Sequence, residues 1–213
     1  MRRFCGTVVL LLLSAVAAHA GDKKPSLPPL LSRPNQAVTL IGLSVPAAAQ
    51  KCENYGVAVG LELMLRMQGV NLDQKYWVTK MDGGEVCVTE LRPVQELADL
   101  INGDYKLEPN HSIRLTAKVT QGAPTVPDDL ILSLRAGSPW LFLWKGHPYL
   151  MTGITYDEYI GPNNARIFQI KEIKLVDPLV TEDAPQRQVS FVRGRDNPGD
   201  IDGTLRVQAV PVD

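Results

Sequence analysis

Histidine and cysteine are the scarce reactive residues of this chain, with three of each among 213 residues. An imidazole is the usual general base near neutral pH, and a thiolate is a strong nucleophile. His147 is the more informative histidine, because it follows a glycine and separates two very apolar stretches. A glycine there allows a neighbour to approach closely, so we expect His147 to reach a helix N-terminus. The alternative is a ring that only packs in a turn. His111 lies in a polar turn and is predicted to be a surface residue.

Cys52 and Cys87 are the two cysteines that belong to the predicted mature protein. An even number of cysteines in an exported chain favours a disulfide, which here would stabilise the fold by about 3 to 4 kcal/mol. A free Cys52 would instead be a candidate nucleophile, and the two interpretations exclude each other. A metal site is not expected, because the cysteines and histidines lack paired short spacings. No cofactor is predicted.

Residues 1–20 have the pattern of a secretory signal peptide. Two arginines precede an apolar run, and small residues follow it at Ala18 and Ala20. The apolar run is too short for a permanent membrane anchor. We therefore expect a periplasmic or secreted protein with no membrane anchor after cleavage.

The charge pattern excludes some partners. The formal net charge is −1, and no run of basic residues occurs. Since phosphate binding depends on clustered positive charge, nucleic acid is not an expected partner.

Hydrophobic periodicity predicts an α+β fold with helices on one side of an antiparallel sheet. A buried helix is predicted over residues 54–68 and ended by Gly69, with further helices over 93–101 and from 127 to a stop at Gly137. Strands are predicted over residues 37–45, 105–108, 112–119, 140–144, 148–156, 166–175, 188–193 and 204–210. Helices early and strands late in the chain are typical of this fold class.

Several short motifs occur in a fixed order along the chain. In the second half these are Gly137-Ser138-Pro139, Gly146-His147, Thr152-Gly153 and Val176-Asp177-Pro178, with apolar strands between them. In the first half a glutamine precedes the buried helix, and Gln68-Gly69-Val70, Gln74 and Gly83-Gly84 follow. Together they resemble the motifs of bacterial papain-like cysteine peptidases, including peptidases that process bacteriocins, over about residues 45–178.

The resemblance implies a papain-like fold, in which an N-terminal buried helix packs against an antiparallel sheet, and hydrolysis of peptide bonds. Cys52 would be the nucleophile, His147 its base and Asp177 the group that orients the ring, while the Gln50 amide would donate to the oxyanion. The substrate or ligand would be a peptide or protein. The helix dipole and a protonated His147 would favour the thiolate.

One position departs from that pattern. The family's spacing from glutamine to nucleophile, counted from Gln50, ends at Gly56, which has no side chain. Cys52 lies one helical turn earlier, and Glu53 beside it disfavours a thiolate. The alternative function is therefore an inactive relative that binds a peptide or protein, with Cys52 bonded to Cys87.

The predicted organisation has four parts. The signal peptide at 1–20 is followed by a flexible entry segment at 21–36, rich in proline, lysine and serine. A papain-like domain occupies 37–178. Residues 179–213 form a C-terminal strand extension for which the sequence predicts no role. The sequence also predicts no oligomeric state.

Overall fold

The computed structural model describes residues 31–107, 111–161 and 164–212. The predicted signal peptide and most of the predicted entry segment lie outside these residues. Within them the chain forms four α-helices and one antiparallel sheet of eight strands. The predicted α+β class is confirmed.

The helices are short, apart from the first. Their bounds are α1 (Glu53–Arg66), α2 (Gln74–Asp82), α3 (Val94–Ile101) and α4 (Pro127–Arg135). Helix α2 was not predicted from the sequence, because its buried face consists of only three residues: Trp77, Val78 and Met81. The signals for α2 are local ones, because Asp73 accepts a hydrogen bond from the backbone N of Tyr76 and Gly83 ends the helix in the left-handed conformation.

A single sheet contains all the strands of the described residues. Its strands are β1 (Leu31–Thr39), β2 (Gly103–Leu107), β3 (His111–Gln121), β4 (Trp140–Trp144), β5 (His147–Ile160), β6 (Arg166–Val176), β7 (Gln188–Val192) and β8 (Ile201–Val212). They run in the order β2-β3-β8-β4-β5-β6-β7, and β1 pairs with the far half of β5. The predicted C-terminal extension thus contributes β8, which lies between β3 and β4 in the middle of the sheet.

Strand β1 begins earlier than predicted, inside the segment that we expected to be a flexible entry. Asn35 adopts a positive φ of 54°, which forms a bulge between Arg33 and Gln36. Its backbone N donates to Asp157 Oδ1 at 2.8 Å, and Lys171 Nζ donates to its side-chain oxygen at 2.8 Å. These contacts outweigh the composition of the segment and hold it against β5.

Both faces of the central sheet are covered by helices. On β4, Leu141 and Leu143 pack with α1, α2 and α3, whereas Trp140 and Phe142 pack with α4 on the other face. The prediction that all helices lie on one side is wrong for α4. The reason is that every residue of β4 is apolar, so both faces of the strand must be removed from water.

Candidate functional site

A tight hairpin turn positions His147. Lys145 and Gly146 have positive φ values of 55° and 68°, and the flanking residues Trp144 and His147 are paired across the hairpin. This is the conformation of a two-residue type I′ turn. A side chain at Gly146 would have nothing within 4 Å, so the glycine serves the turn conformation. The expected reason, a close approach by a neighbour, is wrong.

The turn places the His147 ring between two carboxylates. Its Nδ1 lies 3.2 Å from Glu53 Oε1 and 3.0 Å from Oε2, at the first turn of α1. Its Nε2 lies 3.0 Å from Asp177 Oδ2, a charge contact in which the N–H does not point directly at the oxygen. We call these three residues the carboxylate–imidazole cluster. The structure therefore brings the hairpin against the start of the buried helix, as the sequence predicts.

Asp177 is fixed by its own local structure. It follows β6 directly, and its Oδ1 accepts a hydrogen bond from the backbone N of Leu179 at 2.8 Å. Its backbone N donates to the carbonyl of Arg187 at 2.8 Å. With one carboxylate oxygen held by the turn, the other oxygen faces His147.

The charges in the cluster depend on one another. Burial lowers the pKa of His147, but Asp177 and Glu53 together outweigh burial, so this pKa is raised above its ordinary value of 6.5. Burial is also the main cause that raises the pKa of Glu53, which His147 opposes. A neutral imidazole has only one N–H, so only the imidazolium presents a donor to both carboxylates.

Cys52 has no free thiol, because it forms a disulfide. It is the N-cap residue of α1, is 2% exposed, and is bonded to the exposed Cys87. The predicted disulfide is confirmed. Asn54 binds the same segment of chain, since it donates to the carbonyl of Val86 at 2.7 Å and accepts from the backbone N of Val88 at 3.2 Å. The sulfur of the predicted nucleophile is therefore held by the segment before α3, and Glu53 is the residue that meets the histidine.

Gln50 does not lie at the cluster, where the resemblance would place it as the oxyanion donor. Its Nε2 donates to the hydroxyl of Tyr55 at 3.0 Å. Among the described contacts, none joins Gln50 to Glu53, His147 or Asp177. The structure thus brings His147 and Asp177 together, and leaves Gln50 and the Cys52 sulfur outside the cluster.

Gly56, the position that the family spacing assigns to the nucleophile, is closed by packing. A Cβ there would lie 2.5 Å from Cγ of Pro148 and 3.2 Å from Cδ2 of Leu179. These residues lie just after His147 and Asp177, so the absence of a side chain at Gly56 is what lets the helix approach both members of the cluster.

Glu53 was not predicted as a member of the site; from the sequence it was only a charge beside Cys52. One signal could have found it. An acidic residue in the first turn of a buried helix is stabilised by the helix dipole and faces whatever packs against that end. In this fold the histidine packs there.

A groove of about 610 Å³ lies beside the cluster. It is lined by residues 89–95 and by Gln121, Leu143, Gly146 and Asp202, and we call it the hairpin groove. Its volume is in the range of ligand pockets. Because Gly146 precedes His147, the groove and the cluster share the hairpin.

Comparison of the chain with protein-family models, curated proteins and solved structures finds no match. Within the described ranges, no helix has the length and apolar character needed to cross a membrane. Nor does that part of the chain contain three or more histidine, cysteine or acidic side chains grouped to hold a metal ion.

Proposed function

We propose that the protein is an exported, catalytically inactive relative of the papain-like cysteine peptidases that binds an extended peptide or protein segment. The order along the chain of buried helix, histidine and aspartate supports the relationship, as does the packing of the helix start against His147. Export rests on the pattern of residues 1–20, and the Cys52–Cys87 disulfide is compatible with it.

The main support for an inactive protein is the contact between the Glu53 carboxylate and Nδ1 of His147. Covalent hydrolysis needs a nucleophile whose proton the histidine accepts. Cys52 has no proton to give while it is bonded to Cys87, and Gly56 has neither a side chain nor space for one. The two ring nitrogens of His147 both face carboxylates, so neither of them is directed at a nucleophile.

A binding role follows from what the same geometry leaves accessible. The hairpin groove is open beside the inactive cluster and has both apolar and polar lining residues. The Cys52–Cys87 disulfide and the Asn54 hydrogen bonds hold the segment before residue 89 against the start of α1. A preformed cleft without a nucleophile is suited to holding a peptide without cleaving it.

The test compares the unreduced protein with a Cys87→Ala variant, which frees the Cys52 thiol and leaves the cluster intact. Each is treated with an epoxysuccinyl reagent and with a mixture of random peptides, and both reactions are followed by mass spectrometry. We expect no labelling and no cleavage by the unreduced protein. We expect no cleavage by Cys87→Ala either, since Glu53 still occupies Nδ1. The matched control is the Cys52→Ala/Cys87→Ala double variant, which has no thiol at all.

Peptide cleavage by the unreduced protein, lost in the double variant, would show an active peptidase and overturn the proposal. Cleavage only by Cys87→Ala would overturn the role given to Glu53, because the disulfide alone would then block catalysis.

A further inference from the structure

We infer that the hairpin groove binds an extended peptide through a lysine or arginine side chain flanked by apolar residues. This inference rests on the proposed function and names the chemistry of the ligand.

Two carboxylates at the groove have no cationic partner among the described ion pairs. Glu90 is exposed on one wall and Asp202 on the other. Arg92 also lines the groove but contacts Asp82 at 3.1 Å, and Lys145 of the hairpin contacts Asp200 at 3.2 Å. The groove thus has a surplus of negative charge, which favours a cationic ligand group.

A β-bulge directs Asp202 toward the groove. Leu143 pairs with Gly203 and Trp144 pairs with Ile201, so Asp202 is the extra residue of β8. Its Oδ2 accepts a hydrogen bond from the backbone N of Gly146 at 2.7 Å, which fixes the carboxylate. Bulges reorient single side chains in this way, and they occur often beside binding sites.

The opposite wall offers backbone groups that suit an extended chain. Residues 89–91 lie between Cys87 and the start of α3. Their N–H and C=O groups have no backbone hydrogen-bond partner in the described part of the chain. An extended peptide can satisfy such groups through main-chain hydrogen bonds. This favours a peptide over a small cation.

The groove also has an apolar floor. Leu91 is half-buried and Pro93 is exposed, and both line the groove together with the buried Leu143 and Val94. Val94 reaches β8 because Gly203 has no side chain, since a Cβ there would lie 2.8 Å from Val94 Cγ1. Apolar side chains on either side of the basic residue would cover this floor and remove it from water.

The test selects peptides from a displayed library of random heptapeptides against the unreduced protein at about 0.15 M salt. The affinities of the selected peptides are then measured for the wild type and for Glu90→Gln and Asp202→Asn. The asparagine keeps an oxygen that can accept from Gly146. Glu96→Gln is the matched control, because Glu96 is an exposed acid of α3 that does not line the groove.

We expect the selected peptides to contain lysine or arginine between apolar residues. Each groove variant should weaken binding about five-fold, as for loss of one partly exposed charge pair, and Glu96→Gln should leave affinity unchanged. Peptides that lack a basic residue, or that bind all variants equally, would overturn this inference and leave the proposed binding function standing. Failure to recover any peptide would overturn both.

Discussion

Replacement of Gly56 by alanine tests the packing that closes the site. The new Cβ would lie 2.5 Å from Pro148 Cγ, which belongs to a rigid ring. Gly60 on the same helix is the matched control, because its Cβ would lie 2.7 Å from Leu141 Cδ1, the flexible end of a side chain. Both substitutions gain about 1 kcal/mol of helix propensity.

The two variants should differ in the free energy of unfolding. Overpacking costs about 1 to 3 kcal/mol, and the rigid proline places Gly56→Ala at the upper end, so we expect a net loss of about 2 kcal/mol. Gly60→Ala should stay within about 1 kcal/mol of the wild type, since Leu141 can change rotamer. For a chain of this size, a loss of about 2 kcal/mol lowers Tm by about 4 to 8 °C.

Urea unfolding followed by tryptophan fluorescence measures both variants, and the three tryptophans of the chain provide the signal. A Gly56→Ala variant at least as stable as Gly60→Ala would refute the reasoning. It would mean that the helix start can move away from Pro148, so that position 56 has room for a nucleophile.

Three further substitutions test the site and its scaffold. His147→Gln should lower the free energy of unfolding by about 2 kcal/mol at pH 6, and by less at pH 9, in urea titrations at both values. A folded pKa raised above 6.5 contributes stability below that pH and loses it as the pH rises through the folded value, so a pH-independent difference would contradict the charge assignment. The Cys52→Ala/Cys87→Ala double variant should lose about 3 to 4 kcal/mol in the same assay, whereas an unchanged midpoint would mean that Asn54 alone holds the segment. Gly146→Ala should lower Tm, because its φ is 68°, and Gly146→Asn should lower it less, since asparagine tolerates that conformation; equal losses would exclude φ as the cause.

Periodicity in the sequence predicted most of the fold, because the apolar patterns are strong. The helix at α1 and the strands β4 to β6 were expected within a few residues of their bounds. Periodicity did not predict the elements whose positions depend on tertiary contacts. The start of β1 depends on Asn35 and Asp157, which are distant in sequence, and α2 has too small an apolar face to be seen.

The candidate site was predicted in part. The pairing of His147 with Asp177 followed from the resemblance, and the meeting of the hairpin with the helix start followed from the glycine-histidine motif. Which side chain of the helix start faces the ring was missed, and the acid in the first turn is only a weak signal for it. That choice depends on α1 beginning at Glu53, with Cys52 outside it as the N-cap, and helix ends shift by a residue or two for reasons outside the local sequence.

The most direct test of the account is a nitrogen-15 NMR titration of the His147 ring, assigned by comparison with a His111→Gln variant. The central claim is that the Glu53 carboxylate holds Nδ1 of an imidazolium. We expect both ring nitrogens to be protonated at pH 6.5, with a midpoint above that value which Glu53→Gln lowers. A ring with an unprotonated Nδ1 at pH 6.5, and a midpoint that Glu53→Gln does not move, would contradict the claim.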